Sequence, residues 1–434
     1  MINIVKSKLS RRIWWISTLL LMLNVMPVSH AFAETLTTGP GARFHVQPKD
    51  LPPPFASESV SNGPKAVSRG AGQQPIAPPG YNVGVFAEGL THARWIIAAP
   101  SGEVILAQSR AGVVTRLADR DNDGRADDVQ VIAEGFNSPH GLALRDGYLY
   151  AADLSRVWRM RWRPDGPAAA EKEPVTAAGS LGGSGGHWTR TLTFAPDGKH
   201  FYVAIGSRDN IGEEAAPRAT IKEFRADGSG GRIFASGLRN PVGLAFHPDT
   251  RALYTVVNER DGLGDGLVPD YFTAVRDGGF YGWPYSYIGA NPMPEYAQRR
   301  PDLVKAALVP DVLFQSHSAP IGLAFITGTA FPEAWRGGAF VALKGSWNAA
   351  APTGYKVVRV PFRDGKPLGW YENFITGFQV GVENSFWGHH RATVIGRPAG
   401  LTIWGDRGLL IADPVANVIW SVQKDGAAHR PARR

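Results

Sequence analysis

No residue in this 434-residue chain is cysteine, which excludes disulfides, thiolate metal sites and cysteine nucleophiles together. Stability is left to packing and to metals held by oxygen. Long heptad or helical periodicity is missing too, so neither a coiled coil nor a helical bundle is in prospect. Nor is there a dense basic face. The formal charge of +8 is spread along the chain apart from an Arg-rich tail, His429 to Arg434, and without clustered cations and stacking aromatics nucleic acid is not an expected partner. What the chain has in quantity is turn residues, 51 Gly and 33 Pro, beside 44% hydrophobic residues, the composition of a large all-β body with many tight turns.

The N-terminus reads as an address. Lys6, Lys8, Arg11 and Arg12 precede an apolar run from Ile13 to Val28 that ends at Ala31-Phe32-Ala33, a small-x-small cleavage pattern. Residues 1–33 are therefore expected to be a signal peptide, and the mature protein to be exported and periplasmic. Asn24 and Pro27 interrupt the run, which is short for a bilayer, so no stable membrane span is expected. Ser10-Arg11-Arg12-Ile13-Trp14 leaves both general secretion and twin-arginine export open. Cleavage lowers the formal charge from +8 to about +4. Residues 34–79 are rich in Pro, Gly and Ser and read as an extended strap or linker, residues 80–425 as the body, and 426–434 as a basic tail.

Within the body one phrase recurs six times: a small residue, a hydrophobic pair, a polar turn, then a β-rich run. It starts at Ala93, His140, Thr191, Gly243, Gly322 and Gly400. Each copy is a hairpin signal. The copies lie roughly 50 residues apart, stretching to roughly 80 around the fourth and fifth, as four-stranded blades with two long insertions would. The expected fold is all-β: a six-bladed β-propeller of four-stranded antiparallel blades, preceded by an extended Pro-rich segment.

In a propeller the residues just before each innermost strand gather at one end of the central channel. Here those places hold His140, His187, Arg239, Asn240, His317 and Arg397. Taken singly, such residues are ordinary turn histidines and solvated arginines, but their recurrence at equivalent positions points to one anionic, reducible or hydrolysable ligand. A separate signal lies in Asp119-Arg120-Asp121-Asn122-Asp123-Gly124-Arg125-Ala126-Asp127-Asp128. Carboxylates alternate and a Gly stands at the sharp turn, as hard-cation loops require, so Asp119, Asp121, Asp123, Arg125, Asp127 and Asp128 are candidates to hold a structural Ca²⁺. No Glu stands at the twelfth position, which separates this loop from an EF-hand.

Three stretches carry a resemblance: Gly185-Gly186-His187-Trp188-Thr189-Arg190-Thr191-Leu192, Gly237-Leu238-Arg239-Asn240-Pro241-Val242-Gly243-Leu244-Ala245-Phe246, and Gly278-Gly279-Phe280-Tyr281-Gly282-Trp283-Pro284. Together they resemble the soluble sugar dehydrogenases that use pyrroloquinoline quinone (PQQ), the glucose and sorbosone dehydrogenase group. Ala342-Leu343-Lys344-Gly345-Ser346-Trp347-Asn348 and Ala77-Pro78-Pro79-Gly80-Tyr81 are similar to the sorbosone-like branch. The likeness runs from about Gly41 to about Val422. It implies a PQQ- and Ca²⁺-dependent oxidation of a sugar or aldose-like aldehyde to lactone or acid, with electrons passed to an external acceptor.

The resemblance also implies roles. His187 is the general base that takes the proton of the sugar C1 hydroxyl while hydride leaves C1 for the quinone. Arg239 is the cation over the quinone, where charge grows as hydride arrives. His140, Asn240, His317, Lys344 and Arg397 are the cofactor-binding set, with Lys344 and Arg397 gripping a three-carboxylate cofactor. Asp261 and Gly262 match the carbonyls offered to an active-site Ca²⁺. Two departures bear on that grip: His140 stands where the glucose enzymes place glutamine, and Arg397 stands alone where they have two arginines. A calcium-dependent propeller lactonase, with metal-bound water as nucleophile, and a non-catalytic binding propeller are the alternatives. The first would want several acidic side chains at the mouth. The second leaves the matching set without a purpose.

Overall fold

The computed structural model describes residues 39–164, 166, 171–384 and 390–426. The expected signal peptide and the tail beyond Gly426 lie outside the described residues. Six sheets of four antiparallel strands or more account for most of what is described, starting with Ala93–Ala98, Leu142–Arg145, Arg190–Phe194, Asn240–Phe246, Pro320–Phe325 and Leu401–Trp404. In the sixth sheet Tyr81–Ala87 pairs with Val418–Lys424, so a strand from before the first sheet completes the last. The six starting strands touch in chain order, and the sixth touches the first. Sheets set around an axis with their first strands innermost make a β-propeller.

Crowding at that axis explains the recurring glycine. A Cβ on Gly141 would lie 2.3 Å from Arg190 O in the next sheet, and one on Gly400 would lie 2.8 Å from Arg94 O. The position that faces the neighbouring first strand has no room for a side chain. Outward from the axis, hydrophobic residues fill the gaps between sheets. Tyr150, Phe201 and Phe224 pack between the second and third sheets, Tyr254, Phe272, Phe314 and Tyr371 between the fourth and fifth, and Phe340, Phe374 and Trp420 between the fifth and sixth. Each such side chain taken from water contributes about 1.5–3 kcal/mol, which holds the ring together without cross-links.

Residues 39–79 form a strap laid along the body. Arg43–Phe44 pairs with the outer strand Tyr371–Ile375 of the fifth sheet, Lys65–Ala66 pairs in parallel with His390–Val394, and Ile76 bridges Thr376. The long fourth-sheet insertion holds the one α-helix among the described residues, Pro301–Ala306. Among those residues no helix is long and apolar enough to cross a membrane. Because strands alternate in direction, the segments before first strands and those joining second to third strands share one end of the ring, the mouth. The acidic loop joins the third strand of the first sheet, Val113–Ala118, to the fourth, Asp128–Ala133, and so lies at the opposite end.

Candidate active site

His187, Arg239, Asn240, His317, Lys344 and Arg397 line one cavity of about 320 Å³ at the mouth, with Asn258, Glu259, Asp261, Asp270, Trp347 and Asn348. His187 ends a glycine-rich loop before the third sheet. Its Nδ1 lies 3.0 Å from both Ser207 O and Ser207 Oγ, and that hydroxyl donates to Asp209 O at 2.7 Å. These acceptors assign the proton to Nδ1 and leave the lone pair on Nε2. Burial, and after it the charge of Arg239, keeps the ring neutral and lowers its pKa to about 3. The loop itself is held by two buried arginines: Arg218 donates to Gly182, Ser184 and Gly185 carbonyls, and Arg190 to those of Leu181, Gly183 and His187. A Cβ on Gly206 would meet Asn240 Oδ1 at 2.4 Å and His187 Cβ at 2.5 Å, so bare backbone there lets base and amide stand side by side.

Arg239 is fixed by acceptors on every side. It donates to Asn210 O at 3.0 Å, Glu259 O at 2.7 Å and Asn210 Oδ1 at 2.8 Å, and lies 3.5 Å from Asp261 Oδ2. Beside it Asn240 Oδ1 is buried with no hydrogen-bond partner. Another side of the cavity is cationic. Arg397 donates to Lys344 O at 2.9 Å and to Gly345 O, whereas Lys344 Nζ makes no hydrogen bond with a described residue. Close by, Arg94 is buried with Nε and Nη1 unpartnered and lies 5.1 Å from the Trp188 ring. Burial, then the charge of Arg397, lowers Arg94 to about 9; burial, then Arg94 and Arg397, pushes Lys344 well below the usual lysine range. Asp413, the acid that favours the Lys344 ammonium, is already engaged by the backbone N–H groups of Arg397, Val415 and Ala416. Arg94 is buried and Lys344 and Arg397 are partly buried, so three cations with this little neutralising charge are costly unless an anion joins them, and a planar tricarboxylate fits that deficit.

A further wall is acidic. Asp270 accepts from Glu259 N at 2.8 Å and Ala319 N at 2.7 Å, and burial raises both Asp270 and Glu259 to about 7. For Asp261 burial works the other way from its partners, but the hydrogen bond from His317 and the charge of Arg239 outweigh it and lower the pKa. Burial likewise opposes the His317 imidazolium, and Asp261 with Asp270 prevails and raises it. Asp261 enters the cavity by its carboxylate, which accepts from Asn348 Nδ2 at 2.5 Å; its carbonyl accepts from Asn210 at 2.9 Å. The oxygen chemistry of this wall suits a hard cation.

Two sequence candidates lie elsewhere. His140 is fully buried, its ring 4.8 Å from that of Trp95 and 5.6 Å from that of Trp188, so it packs beneath the mouth and does not line the cavity. Gly262 turns the chain at φ 93° behind Asp261 and is not a lining residue either. In the acidic loop, carboxylate oxygens of Asp119, Asp121 and Asp127 come within 4.8 Å of one another. Asp123 instead accepts from Arg125 N at 2.8 Å, Asp128 pairs with Arg116 at 3.0 Å and Arg120 at 2.8 Å, and Arg407 reaches Asp119 at 3.0 Å. Sequence reasoning missed Arg94, Glu259, Asp270 and Ser207. Arg94 had a signal, since it stands in the first copy of the phrase at a strand start; Asp270 had none, because a third strand carries it to the mouth.

A family model described as TrAA12-like matches residues 75–268 and 302–424. A pyrroloquinoline quinone-dependent pyranose dehydrogenase of Coprinopsis cinerea is 25% identical over 331 residues, covering 65% of this chain and 44% of that protein, so the match spans under half of that relative's length. The holo PQQ domain of pyranose dehydrogenase from Coprinopsis cinerea superposes with a TM-score of 0.67 at 19% identity, over 83% of this chain and 99% of that one. The calcium structure of the Trichoderma reesei carbohydrate-active enzyme of family AA12 gives 0.68 at 19% identity, over 81% and 97%. Both likenesses carry the propeller fold. The resemblance to the soluble PQQ sugar dehydrogenases read from the quoted motifs is borne out. With the first strand of every sheet inside the matched residues, this chain belongs to the TrAA12-like family.

Proposed function

We propose that this protein is an exported, six-bladed, PQQ- and Ca²⁺-dependent dehydrogenase that oxidises a pyranose or aldose-like aldehyde, L-sorbosone among the candidates, to lactone or acid and hands electrons to an external acceptor. The observation that carries it is the meeting of two cations, Lys344 and Arg397, with a neutral histidine lone pair at one cavity, the buried Arg94 repelling Lys344 from close by. Bound PQQ would supply a two-electron, hydride-accepting carbonyl. Lys344 and Arg397 would hold its carboxylates, with Arg94 adding to the attraction. His187 Nε2 takes the proton of the sugar hydroxyl, and Ser207 keeps the ring turned for that task. Arg239, held by carbonyls, cannot swing away and offers fixed positive charge where negative charge develops. Asp261, with Glu259 and Asp270 near it, would hold the active-site Ca²⁺; Asp119, Asp121 and Asp127 would hold a structural one at the far end.

Apoprotein treated with chelator is incubated with PQQ, Ca²⁺ and a dye acceptor against aldoses, sorbosone and lactones. Dye reduction by a sugar only when quinone and Ca²⁺ are both present is the expected result. Full activity without added quinone refutes the proposal, and turnover of lactones with metal alone would establish a hydrolase instead.

A further inference from the structure

The strap passes the rim of the cavity and bonds to two of its loops. Phe55 N donates to Leu263 O at 2.8 Å, Asp265 N to Ser57 Oγ at 2.8 Å and Gly264 N to Ser59 Oγ at 3.0 Å. That loop, residues 259–268, carries Asp261. Asn62 then takes hold of the second loop: its backbone N donates to Trp347 O at 2.8 Å, and its side-chain amide to Ala349 O at 2.5 Å and His390 O at 2.7 Å. Asp265 Oδ1 accepts from Ala350 N at 2.5 Å, which ties the loops to each other. Contact is close, since a Cβ on Gly264 would lie 2.8 Å from Ser57 O. Asp261, Trp347 and Asn348 are all cavity residues, and the strap holds the 49% exposed Trp347 by its carbonyl. The strap residues that make these bonds precede residue 75, where the family match begins. What they do at the mouth is therefore separate from what the family match carries.

We propose that Asn62 is a specificity-determining positioning residue. By fastening Trp347 to Ala349 onto the strap it fixes the width of the mouth and restricts the cavity to monosaccharide-sized sugars that reach His187. The proposal rests on the sugar-oxidising reading above. Asn62 touches no reacting atom and acts through the loop it holds. Without its amide, two carbonyls lose their donor and the loop opens more often, at a cost to binding and none to the chemical step.

Asn62→Ala and Asn62→Asp, the second of which keeps the shape and loses the donor, are compared with the parent and with Ser61→Ala, an exposed neighbour, all as full chains. Hydrogen exchange of residues 346–353 should quicken about tenfold in both Asn62 variants with the melting temperature little changed, a readout that needs no turnover. In PQQ- and Ca²⁺-loaded protein the KM for a monosaccharide should rise about tenfold at unchanged kcat and PQQ affinity, and the ratio of disaccharide to monosaccharide kcat/KM should climb about as much. Parental exchange and parental KM in both variants would overturn the proposal, as would a fall in kcat alone. A parent that oxidises no sugar would refute the functional reading and the specificity role with it, while the exchange data still decide whether the strap braces the loop.

Discussion

Replacing His187 with Gln tests the base by a route that does not depend on turnover. A free histidine takes up its proton near pH 6.5, whereas burial and then Arg239 hold the native ring neutral down to about 3. Between those values the unfolded chain binds a proton that the native state refuses, so acid favours unfolding. The neutral ring's contribution is complete above pH 6.5 and is lost as pH falls toward about 3. Each pH unit inside the window is worth about 1.4 kcal/mol, so from pH 6.5 to 4.5 this one imidazole lowers native stability by about 2–3 kcal/mol. The variant lacks the group and escapes the loss. His92 and His140 are also held neutral, by burial first and neighbouring cations second, but they are present in both proteins and cancel in the difference. Urea unfolding at pH 7 and 4.5 should therefore show the parent's advantage over His187→Gln shrinking by about 2–3 kcal/mol. Parallel pH profiles would refute the reasoning. In loaded enzyme the same variant should lose ~10²- to 10⁴-fold in kcat with PQQ affinity kept, and the parent's kcat/KM should show no acid limb from this histidine near pH 6.5.

Lys344→Ala should behave in the opposite sense, weakening PQQ binding in a titration by quinone absorbance more than it lowers kcat of the loaded fraction; equal affinity to the parent would remove Lys344 from the cofactor grip. Arg94→Ala should also weaken PQQ binding, and the remaining Lys344 should regain a higher pKa because a repelling neighbour is gone. Changing Asp121 and Asp127 together to Asn should lower the melting temperature and abolish its rise with Ca²⁺ while loaded enzyme still turns over at moderate temperature, since the loop lies at the far end of the ring. Loss of catalysis with the calcium-dependent melting intact would show that the loop serves the active site. Gly206→Ala should cut kcat at least ~10-fold, because its Cβ would press on His187 Cβ at 2.5 Å and Asn240 Oδ1 at 2.4 Å; a variant with parental kinetics would show that the base has slack.

The ring was legible because one physical demand repeats. Gly141, Gly243, Gly322 and Gly400 answer the crowding of inner strands, and that regularity survives in the chain as a recurring phrase. His187, Arg239 and Arg397 were legible for a related reason, since they sit where a repeat opens, whereas Lys344 follows a second strand and was legible only through the resemblance. His140 satisfies the same positional rule yet is packed under Trp95 and Trp188, because position along a strand does not say how deep a side chain lies. Glu259 and Asp270 reach the cavity from the second and third strands' mouth ends, which no repeat marks. The strap's hydrogen-bond partners, donors and acceptors alike, lie hundreds of residues away, and composition does not record a path.

Closure of the ring by Tyr81–Ala87 against Val418–Lys424 has a consequence for how activity arises in time. The last strand among the described residues must find one of the first, a pairing across most of the described chain and among the slowest a topology can demand. Until it does, the first and sixth sheets have no fixed relation, and the cavity walls drawn from the third to sixth sheets have nothing to converge upon. A partial chain offers open strand edges and no fraction of an enzyme. Catalytic competence therefore arrives in a single late step, and an error anywhere around the circle delays the same step.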